Sequence, residues 1–234
     1  MSKPAYDAST TVELGTIAFD PGEAPAHSAA TRPANTTRSL FHVASGALSL
    51  TLIRLLPSRA WLIAVSLTIA IAAWSMEAAR RRSPAANDRL MRFFGAIAHP
   101  QERYRVNSST WYVTALLILA TFFPLRAAEL GVVVLGLADP AAGLIGRRFG
   151  RTRLRTGRSL EGTLTFVAVG TLGALAALIA FHELPWSARI TLALVGAVAG
   201  AVAELVSTRF DDNFTIPLTV TIAASAAQLF LPGV

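Results

Sequence analysis

The chain contains no cysteine. Disulfide scaffolds, thiolate zinc sites and cysteine nucleophiles are therefore excluded. Lysine is nearly absent too: of 21 basic residues, every one but Lys3 is arginine. The four histidines, His27, His42, His99 and His182, are scattered, which argues against a histidine-rich metal site. Charge of any kind is scarce, at 15% of 234 residues, where an ordinary soluble domain carries about 25%. Apolar residues fill the difference, at 53% of the chain and a mean hydropathy of +0.51. A soluble domain of this size cannot hide so much apolar surface, so the composition points to a membrane protein. The net charge of +7 fits arginines at membrane ends or against phosphate-bearing ligands better than a nucleic-acid surface.

Residues 1–37 are polar and Ala/Thr/Pro-rich, with neither the basic start nor the apolar core of a signal peptide. They read as a disordered cytoplasmic tail. Residues 38–234 read as one all-α, polytopic membrane domain. Seven apolar stretches, at 40–56, 60–79, 110–125, 127–146, 160–181, 187–206 and 215–232, are each near the ~20 residues that cross a bilayer as a helix. Pro124-Leu125-Arg126 separates the third from the fourth, which suits a tight hairpin. Gly170, Gly173, Gly196 and Gly200 would let helix backbones approach closely. Alternating seven spans places the tail and the loops 80–109, 147–159 and 207–214 on one side. That side holds 17 of the basic residues and the other holds 4. The positive-inside bias then sets the N-terminus in the cytoplasm and the C-terminus outside.

Acids at a membrane edge are costly and so are candidates for chemistry. Glu77, Asp139, Glu161 and Glu204 fall toward the arginine-rich side. Glu129 sits near the opposite edge and reads as an ordinary interfacial residue. The densest constellation runs from Leu137 to Gly150. Asp139, Gly143, Gly146 and Gly150 share one helical face, offering a carboxylate and then a groove without side chains where phosphates can approach. Arg147 and Arg148 add positive charge. Arg158-Ser159-Leu160-Glu161-Gly162 opens the next helix, where a serine and backbone N–H groups suit an anion. The same glycines also suit a packing face with a topology-setting basic loop. No GxxxxGK[ST] sequence is present, so the phosphate site is not a P-loop.

A second constellation is Glu204 through Pro217. Its Asp211-Asp212-Asn213 run supplies three successive oxygen-bearing side chains, the hard ligands that magnesium prefers. Arg38, His42, Ser45 and Gly46 lie on one face at the start of the first span. Glu77 and Arg81 are four apart, the spacing of a helix-end ion pair. Glu102 through Tyr112, including Arg103 and Arg105, can seat a head group or form an aromatic belt with a polar lead-in.

Taken in order, these pieces resemble the membrane-embedded CTP-dependent lipid kinases, which include dolichol kinase, phytol kinase and the CTP-using diacylglycerol kinase. The resemblance covers roughly residues 38–234, and Asp211 through Pro217 is most similar to the phytol kinase branch. It implies magnesium-assisted transfer of the terminal phosphate of CTP to a lipid alcohol lying in the bilayer, such as phytol, geranylgeraniol, polyprenol or diacylglycerol. Carried onto this chain, Asp139, Asp212 and Glu161 are the catalytic candidates. Asp139, Glu204, Asp211, Asp212 and Asn213 are the metal-side candidates. Gly143, Gly146, Arg147, Arg148, Gly150, Arg158, Ser159 and Gly162 are expected to hold the nucleotide phosphates. His42, Glu77, Arg81, Glu102 and Arg105 are expected to form the wall of the site. Two departures stand out: Ala138 where the family usually has glycine before the aspartate, and Arg158 where it usually has lysine. Arginine keeps the charge but presents a fork instead of a point. A phosphatidate cytidylyltransferase-like enzyme and a non-enzymatic transporter or scaffold are the competing readings.

Overall fold

The computed structural model describes residues 36–94, 105–207 and 210–231. Among them are eight helices: α1 (Thr36–Leu55), α2 (Arg59–Arg82), α3 (Pro84–Phe93), α4 (Ser108–Phe122), α5 (Leu125–Phe149), α6 (Leu160–Phe181), α7 (Trp186–Val206) and α8 (Asp212–Gln228). The described residues contain no strand, so the all-α expectation holds. The tail expected over 1–37 lies almost wholly outside the described residues.

Local chemistry sets the helix starts. The side chains of Ser58, Asn107, Ser159 and Asp211 accept a hydrogen bond from the first turn of α2, α4, α6 and α8 respectively. Pro124 and Pro185 stand at the N-caps of α5 and α7. Ser83 ends α2 and caps α3, with Pro84 in the first turn, where its missing N–H costs nothing.

All seven apolar stretches are helical, but α3 is an eighth helix that hydropathy alone does not announce. Four helices, α2, α5, α6 and α7, are long and apolar enough to cross a membrane by themselves. α4 is apolar but has 15 residues, and α8 has 17. Length and hydropathy therefore make this an integral membrane protein without fixing the number of spans at seven.

α5 is the centre of the bundle. Its stretch from Ala127 to Gly136 is buried throughout, and α1, α4, α6, α7 and α8 all pack on it. In a bilayer, close packing has to supply what hydrophobic burial supplies in water. Small residues do so here: a Cβ on Gly46 of α1 would meet the Gly136 Cα of α5 at 3.0 Å. Gly170 of α6 faces Ala197 and Ala138, and Gly200 of α7 faces the buried Phe166 ring and Val220. α2 packs on α4, and Arg59 donates to the carbonyls of Ala120, Thr121 and Phe123 that end α4.

The opposite end corrects one expectation. Glu129 is 2% exposed, and its two oxygens meet Arg54 at 3.2 Å and His182 at 2.6 Å. It ties α1, α5 and the end of α6 together, and is not an ordinary interfacial residue. Its partners lie far away in sequence, so no local pattern shows them.

Candidate functional site

The loop between α5 and α6 is built to present one arginine. Gly157, at φ +82°, takes the left-handed conformation that glycine adopts freely. The turn is closed by Gly157 N–H to Leu154 O at 2.9 Å and Leu154 N–H to Arg158 O at 2.8 Å. Arg153 and Ser159 pair as an isolated bridge. The guanidinium of Arg158 then reaches two helices. It donates to Glu204 of α7 at 3.0 Å and to Asp212, the first residue of α8, at 2.5 Å. Burial works against its charge, but Asp212, Glu204 and Asp139 together raise its pKa above the ordinary arginine value. Of the sequence-predicted acids, Glu204 and Asp212 thus share one cation, and Asp139 lies within its electrostatic reach.

A second set of contacts adjoins the first. His42 Nδ1 of α1 lies 3.7 Å from Asp139. Arg38 donates to Ser108 at 3.3 Å, and Ser108 donates to Asp211 at 2.8 Å. Asp211 also caps α8, accepting from the backbone N–H of Asn213 at 3.0 Å and from its side-chain amide at 2.7 Å. A cleft opens here, lined in part by Arg38, His42, Ser108, Tyr112, Gly136 and Asn213. Pro140 and Pro217 sharpen its chemistry. Each lacks an N–H, so the carbonyls of Gly136 and Asn213, four residues earlier, lose their helical donors. Both of those residues line the cleft.

Other expected residues fall differently. The glycine face beyond Asp139 is not an open groove throughout. A Cβ on Gly146 would meet Ser159 Oγ at 2.8 Å, and one on Gly150 would meet the same oxygen at 2.7 Å. Gly162 packs on this face as well. Ser159 is buried and accepts from the Gly162 N–H at 3.1 Å, so its hydroxyl serves as a helix cap. Gly143 faces the guanidinium of Arg147. Arg147 and Arg148 are exposed, and Arg148 lies over the Phe149 ring. Glu161 accepts from the Thr152 N–H at 3.1 and 3.3 Å, folding back on the loop that carries Arg158.

Glu77 pairs with Arg80 at 3.0 Å and not with Arg81, which is exposed. Both spacings are available on a helix. Arg80 is selected because its guanidinium also reaches the Arg105 carbonyl at 2.7 Å. The Arg105 side chain is exposed, and Glu102 and Arg103 lie outside the described residues. Trp111 packs against Trp74, Phe210 and Phe214, joining α4 to α2 and the start of α8. The link from Ser108 to Asp211 is the site contact that sequence reading misses. Its only signal is that both residues immediately precede or open a helix on the arginine-rich side.

The donors around Arg158 suit a hard cation in kind, since all are oxygens. Glu204 is 3% exposed at its side chain, and its second oxygen has no hydrogen-bond partner among the described residues. No three acidic or histidine side chains among the described residues are close enough to form a ready metal cage; Arg158 instead bridges Glu204 and Asp212.

Comparison with known proteins follows the same line. CTP-dependent diacylglycerol kinase 1 of Saccharomyces cerevisiae is 27% identical over 154 residues, covering 58% of this chain and 53% of that protein. Dolichol kinase sec59 of Schizosaccharomyces pombe is 34% identical over 106 residues, covering 44% of this chain and 20% of that protein. The aligned regions thus span about half of one relative and a fifth of the other. No family model matches, and no solved structure matches. Over these stretches the chain is similar to a CTP-dependent diacylglycerol kinase and to a dolichol kinase.

Proposed function

We propose that this protein transfers the terminal phosphate of CTP to the hydroxyl of a membrane lipid alcohol, giving CDP and a lipid monophosphate. The observation that carries the reading is the pairing of Arg158 with Glu204 and Asp212, and of Asp139 with His42, beside a cleft lined by Arg38, His42 and Asn213. The likeness to two lipid kinases supports it.

Phosphoryl transfer depends mainly on positioning and on neutralising phosphate charge. The lipid hydroxyl oxygen forms a bond to the γ-phosphorus as the bond to the β,γ-bridging oxygen breaks. The hydroxyl proton passes to a carboxylate. Asp139 is the base in this reading, because it meets His42 at the edge of the cleft. In this reading Arg158 exchanges a carboxylate for a phosphate, and Arg147 and Arg148, exposed at the surface, meet the outer phosphates. Asp211 holds the start of α8 through Ser108 and Asn213. Glu161 keeps the arginine-bearing loop in shape. Glu204 and Asp212 are the oxygen donors that would hold magnesium, which would supply charge neutralisation on the phosphates. The site faces the cytoplasm, with the N-terminus inside and the C-terminus outside. Prenyl alcohols rank ahead of diacylglycerol, on the Asp211–Pro217 similarity.

The test uses purified protein, magnesium and CTP labelled separately on the base and on the γ-phosphate. Phytol, geranylgeraniol, polyprenol and diacylglycerol are the acceptors. The γ-label should enter the lipid while the base label stays in water. Base label in the lipid would mean a cytidylyltransferase. Label in neither, with ATP and UTP also tried, would end the kinase reading.

A further inference from the structure

Two cavities lie one above the other along the same three helix faces. The upper one is the polar cleft already described. The lower one is small, is lined by α1, α2, α4 and α5, and its only polar lining residues are Ser49 and Ser66. On α1 the upper cleft takes Arg38, His42 and Ser45, and the lower takes Ser49, Leu52 and Ile53. These steps of three and four residues make one continuous stripe. On α4 the stripe passes from Ser108 and Tyr112 to Leu116 and Leu119, and on α5 from Leu135 to Val132 and Ala128. One hydrogen bond links the lining of the upper space to that of the lower, from Tyr112 to Ser49. Tyr112 lines the upper cleft, and its phenol donates to Ser49 Oγ at 2.9 Å and lies 3.4 Å from the Ser45 carbonyl.

We infer that the stacked cavities form one interhelical channel that takes the hydrocarbon chain of the lipid alcohol, with the Tyr112–Ser49 contact as its partition. This deepens the proposed function and rests on it. The occupant follows from the gradient along the stripe. Its upper end holds His42, which meets Asp139, so a hydroxyl placed there is at the acids. Its lower end is apolar and lies deep among the helices, where a nucleotide's phosphates would be desolvated without partners. From Arg38 to Ile53 the stripe rises about 22 Å at 1.5 Å per residue, against a hydrocarbon core of about 30 Å. A third, roomier cavity lies between α1, α5 and α6. It meets α1 at Val43, Gly46, Ala47 and Leu50, shares Gly136 with the upper cleft and Val132 with the lower cavity, and has no polar residue in its lining. It therefore offers the hydroxyl nothing to bind.

The experiment uses the full chain in nanodiscs with a long prenyl alcohol carrying a diazirine at its tail. Crosslinks should fall on peptides holding Leu52–Ile53, Leu62–Ser66 or Leu116–Ala120. Crosslinks at Ala176–Phe181, or spread evenly over lipid-facing helices, would overturn the inference. Labelling needs no turnover, so labelled channel residues without phosphorylation would leave the channel standing and defeat the kinase reading. Phosphorylation with label elsewhere would do the reverse. In kinetics, Leu116→Trp should raise KM for geranylgeraniol about tenfold while prenol stays within about twofold. The same comparison holds for dioleoylglycerol against dihexanoylglycerol. Ala180→Leu, in the third cavity, should change neither. An equal loss for short and long chains in Leu116→Trp would count against a tail channel.

Discussion

Arg158 is the residue whose removal says most about the site. It bridges Glu204 and Asp212 from 38% exposure, whereas the Glu204 side chain is 3% exposed. Taking away one partner of a fully buried pair costs about 3–5 kcal/mol. Water around the exposed part of Arg158 reduces that, so Arg158→Met should cost about 2 kcal/mol. Glu204→Gln keeps the shape and an acceptor oxygen but removes the charge, and should cost about 1 kcal/mol. In the double variant neither charge is left to lack the other, so the total should fall below the sum by about 1 kcal/mol. Apparent Tm in detergent is the assay. For a chain of this size 1 kcal/mol corresponds to roughly 2–4 °C, so the coupling is measurable. The chain has no thiol for a dye, but its four tryptophans report unfolding directly. Additivity within about 0.3 kcal/mol would refute the bridge. Arg158→Lys should retain one of the two contacts and lose about half as much stability as Arg158→Met.

Asp139→Ala and Asp212→Ala should each abolish turnover while leaving extracted protein folded, as judged by γ-phosphate labelling beside size-exclusion behaviour. Glu129→Ala should not be silent: it strands Arg54 and His182 and should cost about 2 kcal/mol, seen as a lower Tm. Gly46→Val should displace α1 from α5 and lower both Tm and yield, since a Cβ there already meets the Gly136 Cα at 3.0 Å. A reporter after Val234 should read outside the cytoplasm and one near Arg153 inside; both on one side would remove the seven-span arrangement.

Much of the fold is legible because bilayer helices announce themselves by long apolar runs. α3 escapes that signal, being short and polar, yet Ser83-Pro84 is a helix start that sequence can show. At the site, the one-sided placement of Asp139, Glu204 and Asp212 follows from membrane-edge position, whereas the shared partner of Glu204 and Asp212 does not. Arg158 is one of many arginines on that side, and only the turn at Gly157 singles it out. Glu77 shows a different limit: Arg80 and Arg81 are both within helical reach, and a carbonyl from another segment decides between them. The Gly146 face was open to two readings because glycine serves ligands and packing equally. Ser159 and Gly162 occupy that face here.

The seat of α1 has a consequence for biosynthesis. α1 docks chiefly on α5, while α2 takes α4 as its partner. α1 and α2, neighbours along the chain, are therefore not each other's main partners. At elongation rates of about 5–20 residues per second, α1 waits several seconds for α5 to emerge. During that interval its glycine face and its polar stripe of Arg38, His42 and Ser45 have no α5 to cover them. A nascent chain stalled after α4 should accordingly be the form most readily bound by membrane chaperones and quality-control proteases, because it carries a span whose main docking surface has not yet been synthesised.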